Sequence, residues 1–292
     1  MAKRTLKELN LMDDFLFGTM MSYPGIGDEF GRTLLKIIFG REFERIHVVP
    51  QKVYYGSDTT LHGARLDVYL EEVKDADELI QQATVYDVEV EQKYTIEERK
   101  NISKRVRFYH AKIDAGSLES GESYKNLKNV IVIMIMPFDP FDMNRMVYTI
   151  RNSCEEEPQM KYDDGARTIF LYTKGKNGNP PEELRKLLNY MEHSTRENAV
   201  GEELARLHKM VEDVKRNQEV SVSYMKIFER EEMIREEGRR EERKRAEAAE
   251  ERAEAAEGRA REEQRNTEKE RQRAEAAEEE IRRLRALLDM KS

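Results

Sequence analysis

The feature that most constrains this chain is a seven-residue repeat that begins at Arg245. It reads RAEAAEE, RAEAAEG, RAREEQR, NTEKERQ and RAEAAEE. A repeat of this length predicts an α-helix with one continuous stripe of a and d positions, and it favours a left-handed supercoil. With Ala246 at position a, the stripe is mostly alanine, with Glu263 and Glu270 at d and Ile281, Leu284 and Leu288 near its end.

Two interpretations of this tail stay open. Alanine favours helix, and Glu–Arg pairs four residues apart support it, so a single solvated helix satisfies the pattern. The same stripe could instead join copies of the chain, which predicts a homo-oligomer through residues 245–288. An alanine stripe buries little area, so the sequence does not decide between the two.

The charges divide the chain into two populations. Charged residues make up 38% of the chain and the net charge is −8. Residues 238–292 carry 16 basic and 16 acidic residues, whereas residues 1–237 carry 35 basic and 43 acidic ones. The body of the chain is therefore acidic. This argues against strong non-specific DNA binding through net charge, which requires clustered lysine and arginine.

Composition excludes several other classes. Cys154 is the single cysteine, so neither a disulfide framework nor a multi-thiolate zinc site can form. The first residues, MAKRTLKELN, lack the apolar core of a signal peptide. The longest apolar run, residues 130–136, is too short to cross a bilayer. We therefore expect a soluble, cytoplasmic protein without a membrane partner.

The hydrophobic patterns ahead of the tail alternate between helix and strand periods. The order predicts an α/β domain with a mixed sheet over residues 1–195, a helical connector over 196–237 and the charged helix over 238–292. Residues 130–136 are apolar at every position, which is typical of a central strand covered on both faces. Helices are predicted before residue 45 and over residues 97–115, 181–193 and 196–217, and strands near residues 47–49, 66–70, 85–91, 147–150 and 168–173.

Two of the predicted strands carry acidic residues. Asp67 lies inside the apolar run 66–70, and the run 85–91 alternates so that Asp87, Glu89 and Glu91 share one face. If the strands pair, the carboxylates converge, and a Mg²⁺ ion would compensate their repulsion. Such an ion polarises a phosphoryl oxygen and activates water. The simpler interpretation is an amphipathic strand whose acidic face points to water.

Several short motifs resemble one protein family. They are LMDDFLF (11–17), RLDVY (65–69), YDVEVE (86–91), SKRVRFY (103–109), the strand 130–136 and FDPFD (138–142). In order and spacing they resemble the bacterial PD-(D/E)XK nuclease family transposases, also called Rpn-type recombination-promoting nucleases. The resemblance covers roughly residues 8–195.

The resemblance implies a restriction-endonuclease-like core, a mixed sheet flanked by helices, and hydrolysis of DNA phosphodiesters that depends on Mg²⁺ or Mn²⁺. It implies that Asp67 and Glu89 are metal ligands and that Asp14 lies near the site. Arg105 and Tyr109 match the R-x-x-x-Y of the helix that follows the catalytic strand. Their spacing puts both on one helix face, where Arg105 could contact a phosphate.

Glu91 departs from the family pattern, which has glutamine there, with lysine in the wider superfamily. Glu91 could be a third acidic ligand or a base for the attacking water, or it could mark a decayed site. We therefore expect a metal-dependent DNA endonuclease of transposase or recombination type, with Asp67, Glu89 and Glu91 as catalytic residues. The alternative is a catalytically degenerate nuclease fold that acts as an interaction or oligomerisation module through its C-terminal helix. A defence or toxin role would share the chemistry, and the target sequence is not predicted.

Overall fold

The computed structural model describes residues 4–44, 46–50, 53–54, 64–65, 68–72, 83–92 and 95–289. Six helices and eight strands lie within these ranges, together with short 3₁₀ helices at Leu6–Glu8, Tyr124–Asn126 and Arg196–Asn198. The helices are α1 (Asp14–Ser22), α2 (Gly27–Phe39), α3 (Ile96–Ala115), α4 (Glu182–Glu192), α5 (Glu202–Arg216) and α6 (Gln218–Asp289). The strands are β1 (Ile46–Pro50), β2 (Val53–Tyr54), β3 (Ala64–Arg65), β4 (Val68–Glu72), β5 (Thr84–Val90), β6 (Asn129–Met136), β7 (Val147–Ile150) and β8 (Ala166–Tyr172).

Six strands form one mixed sheet in the order β1-β4-β5-β6-β8-β7, and β2 pairs with β3 separately. Strands β5, β6 and β8 run parallel, whereas β4 pairs antiparallel with β5 and β7 pairs antiparallel with β8. The predicted mixed α/β sheet is confirmed, and β4 and β5, which lie in the two acidic runs, pair with each other. The restriction-endonuclease-like assignment stays a prediction.

The two faces of the sheet carry separate cores. Leu70, Tyr86 and Ile133 belong to the larger core, into which α1, α2, α4 and α5 pack. Val132 and Met134 belong to the smaller core, which Ile102, Val106 and Ile113 of α3 complete. This division explains why the residues of β6 from 130 to 136 are all buried, as predicted for a central strand.

Helix α2 ends as its sequence predicts. Gly40 follows it in the left-handed conformation, with φ of 65°, and its N–H bonds to the carbonyl of Lys36. Thr95 and Glu98 form a capping box at the start of α3, where the side chain of each accepts a hydrogen bond from the backbone N–H of the other. The boundaries of both helices are therefore local in origin.

The helix predicted over residues 196–217 is confirmed from residue 202 to 216 and is wrong only at its N-terminal end. The chain forms a 3₁₀ turn at Arg196–Asn198, and α5 begins only after Gly201, whose φ is 105°. That backbone conformation favours glycine and breaks the helix. Helix α5 then buries Leu207, Val211 and Val214 in the larger core, and the compact unit extends to Tyr224.

Residues from Met225 onward form a second unit, within α6. Each residue from 232 to 283 is exposed. The helix predicted for the tail is confirmed, and its supercoiling stays a prediction. None of the helices in the described ranges has an apolar stretch that could cross a membrane.

Candidate active site on strand β5

Strand β5 presents carboxylates to the face covered by α3. Tyr86, Val88 and Val90 point into the larger core, so the alternate residues, among them Asp87 and Glu89, face the other way. Asp87 is 0% exposed and Glu89 is 3% exposed. The interpretation that this acidic face points to water is therefore wrong. Burial of two carboxylates in adjacent positions of one strand face is costly, which marks the position as a candidate site.

Glu91 lies just beyond β5 and is held by α3. Its carboxylate accepts a hydrogen bond from Arg105 Nη1 at 2.6 Å, and its backbone N–H bonds to the carbonyl of Ile135. The two side chains are 25% and 34% exposed, so solvent still screens this ion pair in part. The structure thus brings Glu91 and Arg105 together. Glu91, a predicted catalytic residue, holds the guanidinium of Arg105, a predicted accessory residue.

Tyr109 lies one turn after Arg105 on the same face of α3. The Arg105 guanidinium carbon lies 5.7 Å from the centroid of the Tyr109 ring. Burial, and then the negative charges of Glu89 and Asp87, raise the pKa of Tyr109 to about 12. The phenol is consequently protonated at neutral pH and is a hydrogen-bond donor rather than a base. Tyr109 packs against the smaller core, on the side of the sheet to which Asp87 and Glu89 point.

The Arg105 guanidinium is fixed in its charged form. Burial lowers the pKa of Arg105, but Tyr109, Glu91 and Glu89 raise it, and the net change is upward. Its Nε atom is buried and bonds to no other described residue. Glu91 accepts from Nη1 only, so the guanidinium has further N–H donors with which it could bind a phosphate.

The structure describes only some of the carboxylates that were predicted to bind the metal ion. Asp87 and Glu89 supply the oxygen atoms that Mg²⁺ prefers, and Glu91 is engaged by Arg105. Within the part of the chain that the structure describes, no group of three or more ligating side chains comes together. Asp67, the predicted first ligand, lies outside the described residues. Of the two predicted metal ligands, Asp67 and Glu89, the structure therefore describes only Glu89.

Asp14 lies elsewhere in the fold. It is exposed in the first turn of α1, and the buried side chains of that helix, among them Leu16 and Phe17, enter the larger core. Helix α1 thus packs on the face of the sheet opposite to Asp87 and Glu89. The predicted accessory role of Asp14 stays a prediction.

A buried carboxylate elsewhere in the fold, that of Glu72, is compensated by an arginine. Glu72 is 7% exposed on the face of the larger core, and both of its oxygens accept hydrogen bonds at 2.8 Å from Arg41. Tyr86 Oη lies 2.8 Å from Arg41 and 3.1 Å from Glu72. This bidentate pair has the geometry of a structural ion pair between β4 and the end of α2.

A groove lined by arginines was not foreseen from the sequence. It occupies about 680 Å³ beside β7, on the face of the larger core, and Arg145, Arg151 and Arg167 line it together with residues 178–181. None of the three guanidinium groups forms an ion pair with a described carboxylate. These arginines are scattered along the sequence, so only the pairing of β7 with β8 and of the adjoining loops could reveal the cluster.

Comparisons with known proteins add no assignment. No family model, curated protein or solved structure matches this chain. The resemblance to the nuclease family therefore stays a prediction from the motifs.

Proposed function

We propose that this chain is a metal-dependent nuclease that hydrolyses phosphodiester bonds of DNA at the Asp87–Glu89 face of β5. The observation that carries the proposal is the burial of both carboxylates on the face of β5 that α3 covers, the helix that also carries Arg105 and Tyr109. Acidic side chains are seldom buried in adjacent positions of one strand face without a function. The family resemblance of the surrounding motifs gives this site its proposed chemistry and its restriction-endonuclease-like fold.

In this proposal Glu89 and Asp67 hold a Mg²⁺ or Mn²⁺ ion. When bound, the ion would polarise the phosphoryl oxygen and lower the pKa of the attacking water. Arg105 would bind the phosphate through its remaining donors, while Glu91 holds the guanidinium in place. Tyr109, protonated at neutral pH, would donate a hydrogen bond to the same phosphate or to the leaving group. Glu91 is then a positioning residue rather than a metal ligand.

The arginine groove would contact DNA away from the bond that is cut. It lies at β7, three strand positions or about 14 Å across the sheet from β5, and on the opposite face, so a duplex bound at both places would pass around the β7 edge. Arginines that pair with no described carboxylate suit phosphate contacts, which position a duplex without reading its sequence. Such a local contact reconciles DNA binding with the acidic body, because it does not depend on net charge.

The test is plasmid nicking by the full chain with Mg²⁺ and with Mn²⁺. We expect nicking by the wild type and at least about a 100-fold loss in Glu89→Gln, or roughly 2.7 kcal/mol of transition-state stabilisation. Asp67→Ala should abolish nicking. Glu247→Gln, an exposed glutamate of α6, is the matched control and should nick as the wild type does.

Two outcomes would contradict the proposal. One is nicking retained in Glu89→Gln, which would place the activity elsewhere. The other is a wild-type chain that nicks with neither metal, which would favour the degenerate interaction module. Thermal unfolding of each variant shows whether a loss of nicking reflects a loss of fold.

A further inference from the structure

The charges that flank the stripe of α6 fall into two columns of opposite sign. In the register with Ala246 at position a, four of the six g positions from 245 to 280 are arginine, namely Arg245, Arg252, Arg259 and Arg273, and the other two are Asn266 and Glu280. Position e carries Glu250, Glu257 and Glu278, with Gln264 and Arg271 between them. The stripe between the columns is exposed from Ala246 to Ile281, and over the described residues no other element covers it. The face and its two borders are thus free to meet a partner.

In a parallel pair of helices, each g residue faces the e residue five positions later on the other helix. Arg245 would then face Glu250 of a second copy, Arg252 would face Glu257, and Arg273 would face Glu278. The g positions between the last two, Arg259 and Asn266, would face Gln264 and Arg271. Three attractive pairs form from each chain, and none of these g–e contacts joins like charges.

An antiparallel pair would join the same columns differently. There g faces g and e faces e, so in a fully overlapped pair Arg252 would oppose Arg273 and Glu250 would oppose Glu278. These repulsions offset the attractive contacts Arg245–Glu280 and Glu257–Arg271. The pattern therefore discriminates against this arrangement, which is how coiled coils set the orientation of their partners.

Ion pairs within one helix leave these side chains available for contacts with a second chain. Glu257 lies 3.4 Å from Arg261 of the same helix, but the two side chains are 72% and 79% exposed. Pairs this exposed contribute little free energy, so they exchange readily for contacts with a second chain.

We infer that α6 associates with α6 of a second copy of this chain as a parallel, in-register coiled coil over residues 245–281. This inference does not depend on the proposed nuclease activity. Alanine along the stripe allows close approach of the helices but buries little area, and Glu263 and Glu270 face their own copies at d. The association is therefore reversible and depends on concentration.

Disulfide trapping tests the orientation on the full chain. Cys154→Ser removes the native thiol, and Ala253→Cys then places one thiol at position a. Only a parallel, in-register pair brings two such thiols within disulfide reach. Glu251→Cys in the same background is the control, because position f points away from the partner. We expect a covalent dimer under mild oxidation from Ala253→Cys, at several times the rate of the control.

Charge variants test the columns. Arg245→Glu, Arg252→Glu and Arg273→Glu together should abolish self-association in sedimentation velocity experiments. Adding Glu250→Arg, Glu257→Arg and Glu278→Arg should restore it, while circular dichroism verifies that the helix persists in both. A wild-type chain that stays monomeric over the whole concentration series would overturn the inference. So would equal cross-linking of Ala253→Cys and Glu251→Cys.

Discussion

Glutamate has two different settings in this molecule. On β5, Glu89 is 3% exposed and lies beneath α3, whereas every glutamate of α6 between residues 232 and 283 is exposed. The residue type is the same, but the free-energy cost of placing its carboxylate differs between the two regions. A buried carboxylate must recover the free energy of lost hydration, whereas an exposed one remains hydrated and adds only weak pairing.

The difference separates two kinds of information. The two buried carboxylates on one face of β5 indicate chemistry, because burying charge in adjacent positions without a function is disfavoured. The exposed carboxylates of the tail indicate helix stability and the choice of a partner, because only their order along the helix matters. A charged fraction of 38% therefore describes neither region well.

The largest expected effect on stability concerns apolar residues of the two regions. Leu207→Ala, at a fully buried position of α5, should lower the free energy of unfolding by about 2–5 kcal/mol, because it removes buried apolar surface and leaves a cavity. Ile234→Ala, at a position 59% exposed in α6, should change it by less than about 0.5 kcal/mol. Urea unfolding measures both, and equal effects would contradict the division into a packed body and an exposed tail.

Arginines offer the next comparison. Changing Arg145, Arg151 and Arg167 to glutamine should weaken binding of a short DNA duplex. It should also reduce the slope of log affinity against log salt by about 0.9 for each phosphate that the variant no longer neutralises. The matched control changes the exposed tail residues Arg261, Arg265 and Arg282 to glutamine and should leave the slope unchanged. Fluorescence anisotropy over a salt series measures this slope, and an unchanged slope in the groove variant would exclude phosphate binding there.

Ion pairs give a smaller contrast. A double-mutant cycle with Arg105→Gln and Glu91→Gln should yield a coupling free energy of about 1 kcal/mol, because the pair is partly shielded from water. The same cycle with Arg261→Gln and Glu257→Gln should yield about 0.3 kcal/mol. Unfolding followed by far-ultraviolet circular dichroism provides both values. A tail coupling as large as that of the body would show that burial does not control these pairs.

The smallest effect concerns pH. Burial lowers the pKa of His110 below 6.5, and Asp164 opposes this only in part. Below pH 6.5 the unfolded chain binds a proton that the folded chain excludes, so stability is retained above that pH and falls as the pH drops through the folded pKa. The melting temperature should therefore decrease on acidification. His110→Gln should reduce the slope of melting temperature against pH, and an unchanged slope would contradict a role of His110 in it.

Much of the fold could be predicted because its signals are local. Gly40 ends α2, the alternation of residues 85–91 defines β5, and the uniform apolar run of residues 130–136 defines the central strand. The break before α5 was missed because Gly201 interrupts an otherwise helical pattern, and a single glycine does not show by itself whether a helix ends.

The candidate site was predicted only in part for a related reason. Alternation places Asp87, Glu89 and Glu91 on one face, but it does not say whether water or a helix covers that face. Residues 102, 106 and 113 of α3 supply the cover, and Arg105 meets Glu91 across it. The arginine groove is formed by β7, β8 and a loop. The spacing of its arginines along the sequence does not predict that they lie close together.

The sequence by itself determined that the tail is helical. A seven-residue repeat with balanced charges specifies a helix, because the interactions that stabilise it join residues three or four positions apart. Only the tertiary structure showed that the acidic face of β5 is buried, because burial depends on which distant part of the chain packs against that face.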